Sequence, residues 1–511
     1  MNELLSGLPN MNSLLEHALL SGIGKERAKR AAREVLDELR AGFLACENGG
    51  GNSGASGGGK LPGLDECAGL VLGRIERETS NLRRVINATG VILHTNLGRA
   101  PLGADIIAAA TEICAGYCNL EFDLETGCRG DRYSHVDKLV CELTGAEASI
   151  AVNNNAAAMV LILGALMNGK KVAVSRGELV EIGGSFRIPE IIRQSGAELV
   201  EVGTTNRTRL GDYIDAVENK GAEALLKVHT SNYQIKGFTE SVPVSALAAY
   251  GKTAGLPVIY DMGSCFLIDP GRFGFREGET AAGGINDGAD LICFSGDKLM
   301  GSAQAGIIAG RAEYIEALKK HPLARALRPD KLALAVLETA LRLYRFPDEA
   351  AARIPALAML FANREALRRR AESLAGRLKE VSEGVSEGAL EGVSEGVSEG
   401  VSEGVSEGVS EGVSEGVSEG VSEGWCVEVR ETMDETGGGS LPNVALPGWA
   451  VALKLPGMSA NELESALRRG KTPVIVRIQD DMVLISPRTL TLPDEDRIVE
   501  AVCDIRLSYE R

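Results

Sequence analysis

The chain has 511 residues, of which 44 % are hydrophobic and 24 % charged, the proportions of a soluble globular protein of two or three domains. It contains no run of eighteen apolar residues and no signal-peptide pattern at its N-terminus, so the sequence predicts a cytoplasmic protein without a membrane partner. The ten cysteines have neither CxxC nor zinc-ligand spacing, which indicates free thiols in a reducing compartment and no metal site.

The formal net charge of −17 is concentrated in one low-complexity segment. Residues 381–424 repeat the unit VSEG and contain eleven glutamates but no lysine or arginine, so the rest of the chain carries −6. One isolated valine per unit cannot build a core and the glutamates repel each other, which predicts a disordered insert. The moderate charge of the remainder is compatible with a local basic surface.

Residues 1–85 are predicted to form a small helical domain. Within residues 25–40, basic and apolar side chains alternate as on an amphipathic helix. The basic residues are Lys25, Arg27, Lys29, Arg30, Arg33 and Arg40. Such a helix can contact nucleic-acid phosphates, but four acidic residues reduce its charge to +2, and a solvated helix is an equal alternative. A Gly/Ser-rich linker is predicted to follow at residues 46–62.

Residues 86–330 alternate short β-branched runs with Ala/Leu-rich helical stretches, which predicts an α/β domain with a mostly parallel sheet covered on both faces. The predicted strands are ASIAVNN, KKVAVS, AELVEVG, ALLKVHT, PVIYDMG, DLICFSG and AGIIAGR. Residues 331–511 are predicted to form a smaller α+β domain, with helices up to residue 380, the insert at 381–424 and short strands beyond it.

The string DLICFSGDKLMG places Lys298 just beyond an apolar strand, at the edge of the sheet where open α/β folds bind their ligands. A buried amine at that edge has a lowered pKa and can form a Schiff base with a carbonyl cofactor. The alternative is a solvated loop lysine.

The string PVIYDMGS places Asp261 at the end of a strand, 37 residues before Lys298. A buried carboxylate is costly unless it is paired. The pyridinium nitrogen of pyridoxal phosphate is a suitable partner, because it must stay protonated to act as an electron sink. A metal ligand or a helix cap are the alternatives.

The string SIAVNNNAAAM leads a strand into an alanine-rich helix, and small and amide residues at a helix N-terminus form an anion site. Asn154, Asn155 and Ala156 are therefore predicted to bind the cofactor phosphate, with a hydroxyl from Ser295. A simple asparagine N-cap is the alternative. Asn153 precedes this set in the same string.

Three arginines complete the predicted site: Arg99 in HTNLGRAPL, and Arg325 with Arg328 in HPLARALRPDK. The last two are three residues apart and share a face if they are helical. Paired guanidinium groups suit a tetrahedral oxyanion, although surface cations are the alternative.

Residues 154–156, Asp261, Lys298 and the pair Arg325 and Arg328 follow one another along the chain, after Arg99, in the order that the aminotransferase-like fold of pyridoxal-phosphate enzymes (fold type I) requires. His229 follows a strand on the expected ligand side of the sheet and is predicted to contact the cofactor ring or its hydroxyl. A hydrogen-bonded structural histidine is the alternative.

The residues that carry these features also resemble one known family. The strings NATGVILHTNLGRAPL, VNNNAAA, SRGELVEIGGSFRIP, EVGTTNRT, KVHTSNYQIKGFTE, FSGDKLMG and HPLARALRPDKLALAVLETALRLY closely resemble the bacterial selenocysteine synthases, the L-seryl-tRNA(Sec) selenium transferases. The likeness runs almost without a break from residue 83 to residue 344, while the VSEG insert departs from the family.

This resemblance implies a definite reaction and definite partners. Seryl-tRNA(Sec) would lose water through an aminoacrylyl intermediate and gain selenium from selenophosphate, with Lys298 and Asp261 acting on pyridoxal 5′-phosphate. Arg99, Arg325 and Arg328 would hold the selenophosphate. It also implies that the N-terminal domain binds the tRNA, that the protein assembles as a ring of dimers, expected to be a decamer, and that DNA is not a partner.

Two rival interpretations differ from this one. The first is a pyridoxal-phosphate eliminase or lyase that acts on a small amino acid or amino sugar acid without tRNA. The second is a catalytically silent tRNA-binding scaffold, which predicts loss of Lys298 or Asp261. Both residues are present, and the N-terminal domain is present as well, which favours the tRNA enzyme.

Overall fold

The computed structural model describes residues 8–47, 62–78, 81–182, 186–276, 278–383, 425–442 and 444–509. The chain divides into two compact units, Met1–Arg84 and Val85–Arg511. Residues 48–61 of the predicted linker and residues 384–424 of the predicted insert lie outside the described residues. Among the residues that are described, no helix combines the length and the apolar character needed to cross a membrane.

The described residues of the first unit form the α-helices α1 (Met11–Leu15), α2 (Lys25–Glu47) and α3 (Leu64–Glu78). Helix α2 includes the predicted basic segment, and its residues Ala28, Ala32 and Val35 are buried at helical spacing. They form a small core with Cys67 and Val71 of α3 and neighbouring apolar residues. The apolar stripe that predicted the helix is therefore the stripe that packs.

The second unit is built on a seven-stranded sheet with the order β2-β10-β9-β8-β7-β3-β6. Its strands are β2 (Ala148–Val152), β3 (Lys171–Ser175), β6 (Glu198–Val202), β7 (Ala224–Val228), β8 (Val258–Gly263), β9 (Leu291–Ser295) and β10 (Gly306–Gly310). All seven predicted runs form strands, and every neighbouring pair is parallel except those that involve β10. The prediction of a mostly parallel sheet is confirmed.

Helices cover both faces of this sheet, as the near-continuous apolar strands require. One face packs on α6 (Asn155–Leu166), α7 (Ile188–Gln194) and α11 (Ala312–Lys320). The other packs on α4 (Ala104–Ala115), α5 (Ser134–Thr144), α8 (Leu210–Glu218), α9 (Val244–Ala254) and α13 (Lys331–Tyr344). Shorter elements are β1 (Ile86–Asn87), β4 (Glu181–Ile182), β5 (Phe186–Arg187), α10 (Ala281–Asn286), α12 (Pro322–Ala326), α14 (Pro347–Arg353) and α15 (Pro355–Leu360).

A second, antiparallel sheet lies towards the C-terminus with the order β11-β12-β15-β14. It consists of β11 (Cys426–Glu435), β12 (Ala445–Lys454), β14 (Arg477–Gln479) and β15 (Met482–Ile485), with β13 (Val474–Ile475) paired to β1. Helices α16 (Arg364–Glu383), α17 (Ala460–Arg469) and α18 (Leu492–Tyr509) pack with it around one core. Because β1 pairs with β13, the first strand of the second unit is hydrogen-bonded to a strand near its C-terminus.

The start of the predicted disordered insert needs one correction. Helix α16 continues through Glu383, so the first three residues of the 381–424 segment are helical. Val381 packs against the core of the antiparallel sheet, and its carbonyl oxygen accepts a hydrogen bond from Arg506. This packing extends the helix into the first VSEG unit.

Candidate active site

Lys298 lies in the turn that follows β9, and its side chain is only 7 % exposed. Its Nζ donates to the carbonyl oxygen of Gly439 at 3.3 Å. Burial lowers the pKa of Lys298, and the neighbouring guanidinium of Arg99 lowers it further. The predicted buried amine is therefore present, and it differs from a solvated loop lysine in both burial and pKa.

Asp261 lies in β8, next to Val228 of β7, and is 2 % exposed. Its Oδ1 accepts hydrogen bonds from Nδ2 of Asn155 at 2.8 Å, the backbone N–H of Gly263 at 3.0 Å and the thiol of Cys293 at 3.7 Å. Within the described residues, no hydrogen bond reaches Oδ2. Burial raises the pKa of Asp261, and no metal-ligand group of three or more residues occurs in the described part of the chain.

The asparagines at the start of α6 have separate tasks. Asn154 is the N-cap, and its Oδ1 accepts from the backbone N–H of Ala157 at 2.8 Å. Asn155 instead turns its amide nitrogen to Asp261, which leaves its own Oδ1 buried without a hydrogen-bond partner. Ala156 occupies the first turn of the helix, and Ser295 is buried at the end of β9.

These groups fit pyridoxal phosphate. The cofactor needs an amine for its aldehyde, an acid for its pyridine nitrogen and donors for its phosphate. Lys298 provides the amine, Oδ2 of Asp261 is an acceptor without a donor among the described residues, and the first turn of α6 offers backbone N–H groups with a helix dipole. An unpaired buried Asn155 Oδ1 and a similar Ser302 Oγ further indicate a polar site built for a ligand.

Arg99 is the predicted arginine that lies beside Lys298. Its φ of +66° is rare for a residue other than glycine, and such backbone strain is often found at functional sites. Its Nη1 donates to the carbonyl oxygen of Gly438 at 2.5 Å. The remaining guanidinium donors make no hydrogen bond to another residue in the described ranges, so they are available to an anion.

Arg325 and Arg328 lie near the predicted phosphate-binding residues 154–156, because the backbone N–H of the preceding Asn153 donates to the carbonyl oxygen of Leu327 at 2.9 Å. Arg328 pairs with Glu121 at 3.2 Å, whereas Arg325, at the end of α12, is exposed and has no ion pair among the described residues. Neither makes a direct contact with Arg99 or Lys298 in that part of the chain. The structure therefore gathers Arg99, Lys298 and Asp261 more tightly than the other two arginines.

Glu121 is the centre of an arginine cluster that the sequence did not reveal. Its Oε1 accepts from Nη2 of Arg132 at 2.6 Å as well as from Arg328, and its Oε2 accepts from Arg129 at 2.8 Å. The hydrogen bond from Arg132 is the main reason why the pKa of Glu121 is lowered. Arg132 also donates to the carbonyl oxygen of Pro329 at 2.7 Å, which fixes the loop that carries Arg328.

His229 follows β7, and its backbone N–H donates to the carbonyl oxygen of Asp261 at 2.8 Å. Its ring is 30 % exposed, and Nδ1 lies 3.9 Å from Oε1 of Glu279. Both residues border a cavity of about 640 Å³. A buried ion pair in the cavity wall, Lys227 with Glu178 at 2.5 Å, holds the end of β7 because Glu178 also accepts the backbone N–H of Val228.

A glycine-rich loop of the C-terminal region reaches the same place. Gly438 and Gly439 accept hydrogen bonds from Arg99 and Lys298, although they are about 140 residues further along the chain than the lysine. The string GGGS was visible in the sequence, but glycine repeats are usual in loops, and nothing local indicated this contact.

Comparison with known proteins identifies the family. The sequence profile of the L-seryl-tRNA selenium transferases matches residues 85–400 and 407–491. The L-seryl-tRNA(Sec) selenium transferase of Geobacter sulfurreducens is 43 % identical over 98 % of this chain and 99 % of its own length. The enzyme of the same name from Moorella thermoacetica is 45 % identical over 96 % of this chain and 94 % of its own length.

Among solved structures, D-glucosaminate-6-phosphate ammonia-lyase has a similar fold, with a TM-score of 0.52 and 18 % identity over 84 % of this chain and 97 % of that chain. At this identity the likeness concerns the fold alone, and it agrees with the predicted aminotransferase-like architecture. The profile and the relatives confirm the predicted enzyme class, a transferase for which pyridoxal phosphate is the cofactor. The chain belongs to the L-seryl-tRNA selenium transferase family.

Proposed function

We propose that this chain converts seryl-tRNA(Sec) to selenocysteinyl-tRNA(Sec), with selenophosphate as the selenium donor and pyridoxal 5′-phosphate as the cofactor. The observation that carries the proposal is that two neighbouring strands, β8 and β9, bring a buried Asp261 and a buried Lys298 to one edge of the sheet, with Oδ2 of Asp261 lacking a donor among the described residues. The names of the relatives supply the substrate class. The reaction replaces the seryl hydroxyl with selenium and leaves the ester to the tRNA intact.

Lys298 moves the proton in this scheme. An amine removes a proton from carbon only when it is uncharged, and burial together with Arg99 favours the uncharged form. Nζ of Lys298 would take the proton from Cα of the seryl group and then supply a proton to the departing hydroxyl oxygen. When bound, the cofactor accepts the electron pair that the proton leaves behind.

Asp261 keeps the ring nitrogen of the cofactor protonated. Its free Oδ2 would accept that N–H, and the positive charge of the ring would compensate the buried carboxylate. Asn155 and Gly263 hold Oδ1, so the carboxylate cannot rotate without breaking two hydrogen bonds. Asn154, Asn155, Ala156 and Ser295 are the proposed phosphate-binding residues, through the N-terminus of α6 and the end of β9.

Arg99, Arg325 and Arg328 are the proposed selenophosphate ligands. Arg99 has free donors beside Lys298, which places an oxyanion next to the carbon that Lys298 acts on. Arg325 is unpaired within the described residues, and Arg328 shares its charge with Glu121. Guanidinium groups bind tetrahedral oxyanions through two N–H donors each, so three of them suit a phosphate-like group.

We also propose that residues 1–85 bind the tRNA, that residues 86–330 bind the cofactor and that residues 331–511 complete the protein, which would act in the cytoplasm as a ring of dimers. Helix α2 offers a basic row, because Lys25, Lys29 and Arg33 are four residues apart, exposed, and without ion pairs among the described residues. Such a row suits the phosphates of an RNA backbone.

The experiment that tests the function is an absorbance spectrum of the purified protein beside Lys298→Ala and a surface control, Lys252→Ala. We expect a cofactor band near the blue edge of the visible in wild type and the control but not in Lys298→Ala. Seryl-tRNA(Sec) should shift the band, whereas free serine should not. A band that responds only to free amino acids would transfer the function to a small-molecule lyase, and no band after added pyridoxal phosphate would refute the cofactor assignment.

A further inference from the structure

We infer that the loop of residues 437–440, which follows β11 in the antiparallel sheet, is a positioning element of the active site. Its backbone carbonyl oxygens at Gly438 and Gly439 hold Arg99 and Lys298 side by side, so that the anion-binding group and the proton-moving group face the same substrate carbon. This inference rests on the proposed function for the roles of the two cations, but the contacts themselves are independent of it.

The loop approaches Lys298 so closely that a side chain at its centre would displace the amine. A Cβ added to Gly439 would lie 2.8 Å from Nζ and 3.3 Å from Cε of Lys298, and 3.7 Å from Nη1 of Arg99. Real Cβ contacts are longer than 2.8 Å, so the end of the lysine side chain would have to move away. Gly439 also has a φ of +83°, a conformation that residues with a side chain rarely adopt. The backbone conformation therefore favours glycine here, and the close approach couples this position to Lys298.

The loop is anchored to both segments that it aligns. On the Arg99 side, the backbone N–H groups of Ile92 and Leu93 donate to the carbonyl oxygens of Glu435 and Thr436 at 3.0 and 2.8 Å. This pairing fixes the start of the loop to the segment that leads into Arg99.

On the Lys298 side, Oγ of Ser440 lies 2.8 Å from Oγ of Ser264, which accepts the backbone N–H of Leu299 at 3.4 Å. Ser440 is 1 % exposed. Through Ser264, the loop is thus linked to Leu299, the residue after the lysine. Because both of its ends are hydrogen-bonded, the loop is held rigidly.

Carbonyl oxygens suit this task better than carboxylates would. Apart from the loop, the charged groups that act on Lys298 are Arg99, Asp297 and Asp261. A carboxylate at the position of Gly439 would keep Lys298 protonated, since an opposite charge favours the charged form. The carbonyl oxygen of Gly438 accepts one N–H from Arg99, and that of Gly439 accepts one from Lys298. These neutral acceptors fix both side chains, while Lys298 remains able to release its proton and Arg99 keeps its other donors.

The test measures the protonation of Lys298 in the full-length chain after removal of the cofactor, without tRNA or a selenium donor. Acetic anhydride labels only the neutral amine, so the extent of labelling against pH, read by peptide mass spectrometry, gives a midpoint for Lys298. Gly439→Ala displaces Nζ from the carbonyl and should lower the midpoint by about one pH unit, the equivalent of one hydrogen bond to a charged group.

Two further variants make the result interpretable. Gly255→Ala is the matched control, because Gly255 has a similar φ of +70° at the end of α9 but no heavy atom within 4 Å of its added Cβ. Its midpoint should equal that of wild type. Ser264→Ala removes the hydroxyl that anchors Ser440, and the hydroxyl of Ser440, 2.8 Å from the carbonyl oxygen of Gly439, can then donate to that carbonyl. Both changes weaken the hydrogen bond from Lys298, so the midpoint should fall by a few tenths of a pH unit.

Equal midpoints in wild type, Gly439→Ala and Ser264→Ala would refute the positioning role. If Gly439→Ala does not fold, the direction of the shift in Ser264→Ala decides alone, and a rise or no change refutes the inference. Because neither substrate is present, a negative result here leaves the absorbance test of the proposed function untouched, and failure of that test leaves these midpoints meaningful.

Discussion

Two buried aspartates of this protein have opposite surroundings. Asp434, at the end of β11, is fully buried, and its Oδ2 accepts from Nε of Arg488 at 2.8 Å while its Oδ1 lies 3.5 Å from Nη2 of Arg477. Asp261 is almost as deeply buried, but its hydrogen bonds come from an amide, a backbone N–H and a thiol. Asp434 is paired with two arginines, although burial still raises its pKa, whereas Asp261 has no cation in contact with it among the described residues.

The two carboxylates also differ in how closely neighbouring residues pack around them. A Cβ on Gly90 would lie 2.2 Å from Oδ1 of Asp434, and one on Gly448 would lie 2.5 Å from Oδ2, so the protein closes completely around this group. Asp261 keeps Oδ2 free within the described residues. A buried charge that lacks its own counter-ion is costly, and a protein tolerates that cost where a ligand brings the missing charge. This difference distinguishes a ligand site from a structural ion pair.

The largest expected effect is on catalysis at Asp261. Asp261→Asn keeps the shape of the side chain but removes the charge that holds the cofactor nitrogen protonated. We expect kcat for selenocysteinyl-tRNA formation to fall by about 10²- to 10³-fold, as when one preorganised electrostatic group is removed from an active site. Single-turnover assays with seryl-tRNA(Sec) measure it. Asp215→Asn, at a half-buried aspartate paired with Lys220, is the control and should keep wild-type activity.

At Asp434 the expected loss is in stability. Asp434→Ala leaves Arg488 buried at 3 % exposure without its partner, and removal of one member of a buried pair costs about 3–5 kcal/mol. Urea unfolding followed by circular dichroism measures the change. The double variant Asp434→Ala/Arg488→Met should recover part of the loss, because no unpaired charge remains. A double variant that is as unstable as the sum of both single variants would show that the charges were not coupled.

A smaller effect is expected at the amide that orients Asp261. Asn155→Ala removes the 2.8 Å hydrogen bond to Oδ1, and a bond to a charged group is worth about 1.5 kcal/mol at the low end, or roughly tenfold in kcat. Asn154→Ala instead removes the N-cap of α6, which should cost about 1 kcal/mol of unfolding free energy. Paired measurements of kcat and of urea unfolding separate the two. Equal stability losses would contradict the separate tasks assigned to these neighbours.

Much of this arrangement could be predicted from the sequence, because it follows from local pattern. The seven strands of the central sheet were apolar β-branched runs, and the order of Asn154, Asp261 and Lys298 along the chain gave their placement at one edge of the sheet. Residues at strand ends are easy to assign, since the topology of a parallel sheet brings those ends together.

The remaining parts depend on contacts between distant segments, which no local pattern encodes. The hydrogen bond from the side chain of Asn155 to Asp261, 106 residues away, is one such contact. Arg328 looked like a free cation, but Glu121 lies across from it. The approach of Gly439 to Lys298 depends on the pairing of β11 with the segment around Ile92, and that pairing becomes visible only once both sheets are folded.

The smallest expected effect is the pH dependence of stability that Asp261 brings to the cofactor-free protein. Burial raises the pKa of Asp261 above its unfolded value of about 3.9, so the folded chain binds this proton more tightly than the unfolded chain does. The resulting contribution to stability is full below the unfolded pKa and is lost as the pH rises through the folded pKa. Each unit of pKa difference is worth about 1.4 kcal/mol.

Asp261→Asn has no such titration, so its unfolding free energy relative to wild type should increase with pH from about 4 upward and level off above the folded pKa. Urea unfolding of both apo proteins between pH 4 and 8 measures this difference. Added pyridoxal phosphate should reverse it, since the pyridinium compensates the carboxylate of wild type but finds none in the variant. Parallel curves with and without cofactor would mean that Asp261, like Asp434, has its counter-ion within the protein.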